Sequence, residues 1–106
     1  MVKRGDIWLA SLDPTVGSEI QKTRPCVVVS PAELNENLRT TIVAPMTTGS
    51  RPAPFRIPIG FAGKRGLIVL DQIRAVDKRR LVKRLGKVPA STMADALRTL
   101  REVFAE

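Results

Sequence analysis

Thr23-Arg24-Pro25-Cys26-Val27-Val28-Val29-Ser30-Pro31 is the stretch whose reading decides the fold. Cys26 to Val29 is an unbroken apolar run rich in β-branched residues, the pattern of a strand covered on both faces. Pro25 and Pro31 bound it, because proline is tolerated at a strand's end and excluded from a central ladder. Arg24 stands where this strand meets the polar loop of residues 13–22. A guanidinium there offers a fixed fork to a phosphate. It can equally pair with a nearby carboxylate such as Glu19, and local sequence leaves both readings open.

Upstream, Asp6 to Leu12 reads as a first strand, with Trp8 directed to the core and its indole N–H in need of a partner. Asp13-Pro14 and Gly17 make residues 13–22 a loop. Downstream, Ser30 is placed to cap a short helix with Pro31 in its first position. Residues 40–47 form a third strand, with Pro45 implying an edge or a bulge. Thr47-Thr48-Gly49-Ser50-Arg51 then gathers three hydroxyls and an arginine at a strand end. Such a turn can hold phosphate oxygens, or it is an ordinary Ser/Thr turn.

Phe55, Ile57 and Ile59 alternate as the inward face of a half-exposed strand. Phe55 is read as core, though an aromatic beside a basic loop can also stack a base. Residues 60–66 are a turn, and Leu67 to Leu70 is a second buried run. Asp71-Gln72 follows at its exit, as a functional pair or as partners of a neighbouring loop. Residues 81–88 make a last strand, stopped by Pro89. Ser91 is placed to cap a helix from Thr92 to about Ala105, with Met93, Leu97, Leu100 and Phe104 facing the sheet. Many short strands followed by one helix argue a mainly β fold, a small bent sheet or barrel with helical additions, as a single domain over residues 1–106.

Eighteen Lys and Arg against ten Asp and Glu leave a charge of +8. Nine of the basic residues fall between 64 and 87, opposed there only by Asp71 and Asp77. That clustering favours a polyanionic partner, nucleic acid or an acidic protein, over a plain solvated face. The chain has no histidine and one cysteine, Cys26. Imidazole bases and Ser-His or Cys-His nucleophile pairs are therefore excluded, and one cysteine without histidine argues against a thiolate or imidazole metal site. Cys26 reads as a small core residue. No run approaches a membrane span and no signal-peptide core follows Met1, so no membrane role and a cytoplasmic location are expected.

Taken together, Arg4-Gly5-Asp6-Ile7-Trp8, Leu12-Asp13-Pro14-Thr15 with Gly17-Ser18-Glu19, Thr23-Arg24-Pro25 with Val27 to Pro31, Ala44-Pro45-Met46-Thr47-Thr48, Pro54-Phe55 and Leu70-Asp71-Gln72-Ile73-Arg74 resemble the MazF/PemK toxins through nearly the whole chain. Each piece is weak alone; their order and spacing are specific. The resemblance implies an SH3-like barrel of the MazF/PemK/CcdB kind with a C-terminal helix, assembled as a homodimer. It implies a type II toxin that cleaves single-stranded RNA at a short sequence, without metal or cofactor. In that chemistry the ribose 2′-hydroxyl attacks the adjacent phosphorus. A cognate MazE-like antitoxin, acidic and flexible, is implied as partner.

The family's catalytic arginine falls on Arg24 and its threonine on Thr47. Glu19, Thr48, Phe55, Asp71 and Gln72 match positions that contact RNA or support the site. Lys22 and Ser50, in the two loops expected to meet bases, join them. Two features of some members are missing: Val69 stands where they have an arginine two residues before Asp71-Gln72, and the first loop lacks a histidine. The chemistry must then rest on Arg24 and Thr47. Each such donor supplies about 3 kcal/mol to the transition state. The proton acceptor is left among Glu19, a phosphate oxygen and water. Two other readings remain: a CcdB-like toxin that binds DNA gyrase without cutting, and a non-catalytic nucleic-acid-binding barrel.

Overall fold

The computed structural model describes all residues, 1–106. Seven strands appear in chain order: β1 (Asp6–Ser11), β2 (Thr23–Val28), β3 (Thr40–Thr47), β4 (Arg56–Phe61), β5 (Lys64–Val69), β6 (Arg74–Asp77) and β7 (Leu81–Lys87). Helix α1 (Ala32–Asn37) links β2 to β3, and α2 (Ala90–Val103) ends the chain. All pairings are antiparallel, in the order β4-β5-β3-β2-β1-β7, with β6 beside the first half of β3. The result is a curled half-barrel with a C-terminal helix, as expected.

The Cys26 to Val29 run is covered on both faces. Val27 and Val29 enter the larger core, with Ile7, Ala44, Met46, Ile57, Ile59, Ile68 and the α2 residues Met93 and Ala96. Cys26 and Val28 enter the second core, with Ala10, Leu12, Val43 and Val76. Period-2 alternation along β2 thus feeds two layers, which is why no position in the run is polar. Burial pushes the Cys26 thiol up to about 12, so it is a neutral core group.

The prolines sit differently from expectation. Pro25 is inside β2 and faces Leu9 of β1, while the ladder to β3 begins only at Cys26 opposite Pro45. Its missing N–H therefore interrupts nothing on the β3 side. Pro45 marks neither an edge nor a bulge. β3 is interior, and its second neighbour changes from β6, which ends at Val43, to β5, which begins at Met46. Pro45 falls in the gap between the two ladders, where no donor is required.

Ser30 does not cap α1, and Ser91 does not cap α2; Pro31 and Pro89 occupy those cap positions without side-chain hydrogen bonds. Ser30 is buried instead in a polar knot. Its Oγ donates to Asn35 Oδ1 (2.6 Å) and accepts from the Ile42 N–H (3.0 Å), and Thr41 Oγ1 donates to the same Asn35 oxygen. The α2 stripe is half as expected: Met93 is buried and Leu97 and Leu100 pack on the core. Phe104 lies past the helix end and is 70% exposed, and fully buried Ala96 takes the central place. β6 carries too few apolar residues to read as a strand from sequence. The expected turn over 60–66 is far shorter. β4 and β5 pair as far as Phe61 and Lys64, closing through Ala62 (φ 53°) and Gly63 (φ 75°). Two positive φ values are what a tight right-twisted hairpin needs.

Trp8 is partly buried against the second core, and its indole N–H finds no acceptor within the chain. The Arg4-Gly5-Asp6 motif is structural. Arg4 donates to the Val29 carbonyl, Gly5 at φ 91° exchanges backbone bonds with Val28 and Val88, and Asp6 accepts from the Lys3 N–H and from Arg84.

Candidate active site

A cavity of about 280 Å³ opens where β2 begins and β3 ends. Arg24 and Pro25 form one wall, Met46, Thr47 and Thr48 the next, and Phe61, Lys64, Arg65 and Gly66 of the β4–β5 hairpin the third. Arg24 and Thr47 project from the same face of the sheet. Cys26 faces the second core, so Arg24, two residues earlier, shares its side; Met46 faces the larger core, so Thr47 points the other way.

Arg24 makes no ion pair, and the pairing with Glu19 is not formed. Only its Nε is engaged, donating to the Gln21 carbonyl at 3.3 Å. The rest of the fork is free for an anion. Thr47 Oγ1 accepts from the Gly49 N–H at 3.1 Å, so the Ser/Thr turn is realised. That bond uses an oxygen lone pair and leaves the hydroxyl proton available to donate. Gly66 is needed beside it: a Cβ there would stand 3.0 Å from the Thr47 carbonyl oxygen.

The remaining expected residues divide. Glu19, Asp71 and Gln72 line a neighbouring groove of about 240 Å³, together with Pro45 and Arg74. Pro45 and Thr47 are two apart on one face of β3, which makes groove and cavity adjacent. Glu19 is exposed there and accepts from the Val16 N–H at 2.6 Å, so the carboxylate is part of its own loop. Gln72 bonds that loop from outside, accepting from Ile20 N–H (2.7 Å) and donating to the Ser18 carbonyl (3.4 Å). Lys22, at φ 70°, closes the loop through Asp13: its N–H donates to Asp13 Oδ1 and its carbonyl accepts from Leu12. Lys22, Ser50 and Phe55 line neither pocket. Phe55 precedes β4 and is 37% exposed, so it is not a core residue.

Asp71 is held in a two-point ion pair. Arg56 Nε and one terminal nitrogen donate to its two oxygens, each at 3.1 Å. The Arg56 guanidinium keeps the Asp71 carboxyl below the usual carboxylate range. Several contributors are not visible in the sequence. Lys64 and Arg65 stand out there only as members of a basic cluster. Arg74 and Arg80 fix the first loop by donating to the Leu12 and Asp13 carbonyls. Arg56 lies in a stretch whose visible pattern is apolar alternation. Strand register alone brings each of them to the site, and no local pattern announces it.

The arrangement offers an unpaired guanidinium and a hydroxyl donor on adjoining walls of one cavity, flanked by two further cations and walled in part by apolar surface. Chemically, such a cavity can stabilise the charge of a phosphodiester on one side and leave room for a sugar or base on the other.

Comparison with known proteins bears on the family. Residues 3–104 match the family model described as PemK-like, MazF-like toxin of type II toxin–antitoxin system. The chain is 42% identical to endoribonuclease PemK of Escherichia coli over 97% of its length and 82% of that protein. It is 35% identical to endoribonuclease MazF of Staphylococcus epidermidis over 90% of its length and 84% of that protein. Among solved structures, MazF (Form-I) of Deinococcus radiodurans superimposes with a TM-score of 0.87 at 25% identity, covering 99% of this chain and 97% of that one. A chain of the MazE–MazF structure (Form-II) from the same organism gives 0.79 at 23%, covering 98% and 95%.

Proposed function

The chain belongs to the PemK-like, MazF-like toxins of type II toxin–antitoxin systems, and from that membership we propose that Arg24 and Thr47 carry its cleavage of single-stranded RNA. It is an endoribonuclease toxin, as its relatives are. The gyrase-binding alternative finds no support among them. The observation that carries the assignment of residues is the placement of a carboxylate-free Arg24 fork and the Thr47 hydroxyl on one cavity.

In the proposed step, the ribose 2′-oxygen bonds to phosphorus as the P–O5′ bond breaks, giving a cyclic phosphate and a 5′-hydroxyl. Arg24 donates to the non-bridging oxygens as they gain charge, and Thr47 adds a neutral donor. Water or a phosphate oxygen takes the 2′-proton, since the Glu19 carboxylate lies in the adjacent groove rather than the cavity, and water returns a proton to the departing O5′. Arginine holds its own proton too firmly to be the base. The reaction needs no metal and no cofactor. Glu19, Lys22, Thr48, Ser50, Phe55, Asp71 and Gln72 line or support the path of the RNA, and the whole of residues 1–106 acts as one toxin domain.

A MazE-like antitoxin with an acidic, flexible segment fits the charge of +8 and the MazE–MazF pairing named for one structural neighbour. A homodimer is supported by apolar side chains left on the surface, Val82 on the edge strand β7 and Val103 and Phe104 at the end of α2. Cytoplasmic action follows from the RNA substrate, and no helix is long and apolar enough to cross a membrane.

The test is incubation of the purified protein with a long, defined single-stranded RNA in EDTA, beside Arg24→Ala, with mapping of the new 5′ ends. Discrete cuts by the wild type alone are expected. An Arg24→Ala protein that cuts at the wild-type rate would remove the assignment.

A further inference from the structure

Arg56 is bound on three sides before any ligand arrives. Its Nε and one terminal nitrogen hold the Asp71 carboxylate, and its other terminal nitrogen donates to the Arg51 carbonyl at 2.9 Å. Its guanidinium carbon lies 5.7 Å from the centroid of the exposed Phe55 ring. Three of the five N–H groups are engaged, and two are left. The side chain keeps 21% of its surface open to solvent. A long, flexible arginine has thus been made into a rigid plane beside an aromatic ring, with donors to spare. Structural needs alone do not call for it: solvent reaches both partners, with Asp71 at 32%, and ion pairs open to solvent add little to stability.

The register places this plane on the site's face. Ile57 and Ile59 of β4 are in the larger core, so Arg56 projects from the opposite face, as Thr47 does. Thr47 is opposite Leu67 and Arg56 opposite Val69, with β5 between them. Two strand spacings across and two residues along put Arg56 roughly 12 Å from Thr47. With the guanidinium held by Asp71 and the Arg51 carbonyl, that backbone separation suits a neighbouring nucleotide rather than the reacting phosphorus.

Phosphate is a poor occupant. Asp71 cancels the Arg56 charge and would repel a second anion at the same fork. A base edge is a good one: it is neutral, it has acceptors for the two free N–H groups, and its face can stack on Phe55. We infer that Arg56, held by Asp71 and the Arg51 carbonyl beside Phe55, is a specificity-determining residue that reads one base flanking the cut. This deepens the ribonuclease reading and rests on it.

The experiment is cleavage of a randomised single-stranded RNA pool by wild type, Arg56→Gln and Arg56→Lys, with sequencing of the cut ends and a thermal melt of each protein. The expected result is that both variants cut, but that preference at one position of the consensus falls roughly tenfold while the other positions keep theirs. A purely structural Arg56 would change the rate or the melting temperature and leave the consensus as it was. An unchanged consensus in either folded variant overturns the inference and leaves Arg24 and Thr47 untouched. Arg56→Lys keeps the charge beside Asp71, so it serves should Arg56→Gln fail to fold. No cleavage by the wild type would overturn the ribonuclease reading itself, and this inference with it.

Discussion

Thr47 has room for two jobs in one hydroxyl: its oxygen accepts from Gly49 and shapes the turn, and its proton remains free to donate, in the proposed reaction to the phosphate. Thr47→Val keeps the branched shape and removes both. By analogy with loss of a single preorganised donor, kcat is expected to fall by roughly 10²- to 10³-fold. Single-turnover cleavage of an RNA carrying the recognised sequence measures this. Ser30 gives the opposite case, a buried hydroxyl remote from the site. Ser30→Ala leaves the Ile42 N–H without its acceptor and is expected to destabilise the fold by about 1–3 kcal/mol. Urea unfolding reads that loss, and cleavage at a temperature where the variant is folded should be unchanged. By local residue type both are turn-prone hydroxyls, and only the family resemblance singles out Thr47. Sequence cannot tell a cap from a buried knot, because Asn35 and Thr41 reach Ser30 only once α1 and β3 have folded back. The absence of arginine at Val69 is legible. That Arg56 stands across from it is not, because it depends on the β4–β5 register.

At the scale of elements, the loop between β1 and β2 is a long polar segment made into a wall. Asp13 ties its two ends, Arg74 and Arg80 hold its start, and Gln72 grips its far side through Ile20 and Ser18. In sequence Gln72 reads either as a functional group or as a loop partner; in the fold it hydrogen-bonds the loop while lining the groove. Gln72→Ala should therefore loosen the loop without unfolding the sheet. Limited trypsin digestion would show faster cutting after Lys22, with amide protection of β2 and β3 retained. Cleavage of RNA should fall mainly through a raised KM, since the groove beside the cavity loses its fixed wall. β2 itself is readable from four residues, because burial on two faces permits no polar position. β6 is not readable, since its strand state comes from pairing with β3 rather than from its own residues.

For the whole molecule, the positive charge is divided by the fold between scaffold and site. Lys64 and Arg65 join Arg24 at the cavity, while Arg74 and Arg80 hold backbone carbonyls and Arg79 is paired with Asp77. The cavity cations should dominate the salt dependence of RNA binding. Replacing Lys64 and Arg65 together by glutamine is expected to lower the slope of log affinity against log salt by about 1.4, roughly 0.7 for each single-strand phosphate that is no longer neutralised. A 2′-O-methyl RNA, which the enzyme cannot cut, allows that measurement. By itself the amino-acid sequence determined the buried strand, the mainly β class, the absence of imidazole chemistry and, through the order of its motifs, the family. The first three follow from local periodicity and composition and the last from resemblance of its motifs, all properties of the chain before it folds. Only the tertiary structure decided which cations line the cavity, that Glu19 and Thr47 lie in different pockets, that Phe55 is exposed, and that Asp71 belongs to Arg56. Those outcomes depend on register between strands far apart in the chain, and register is set by how all seven strands fit two cores at once.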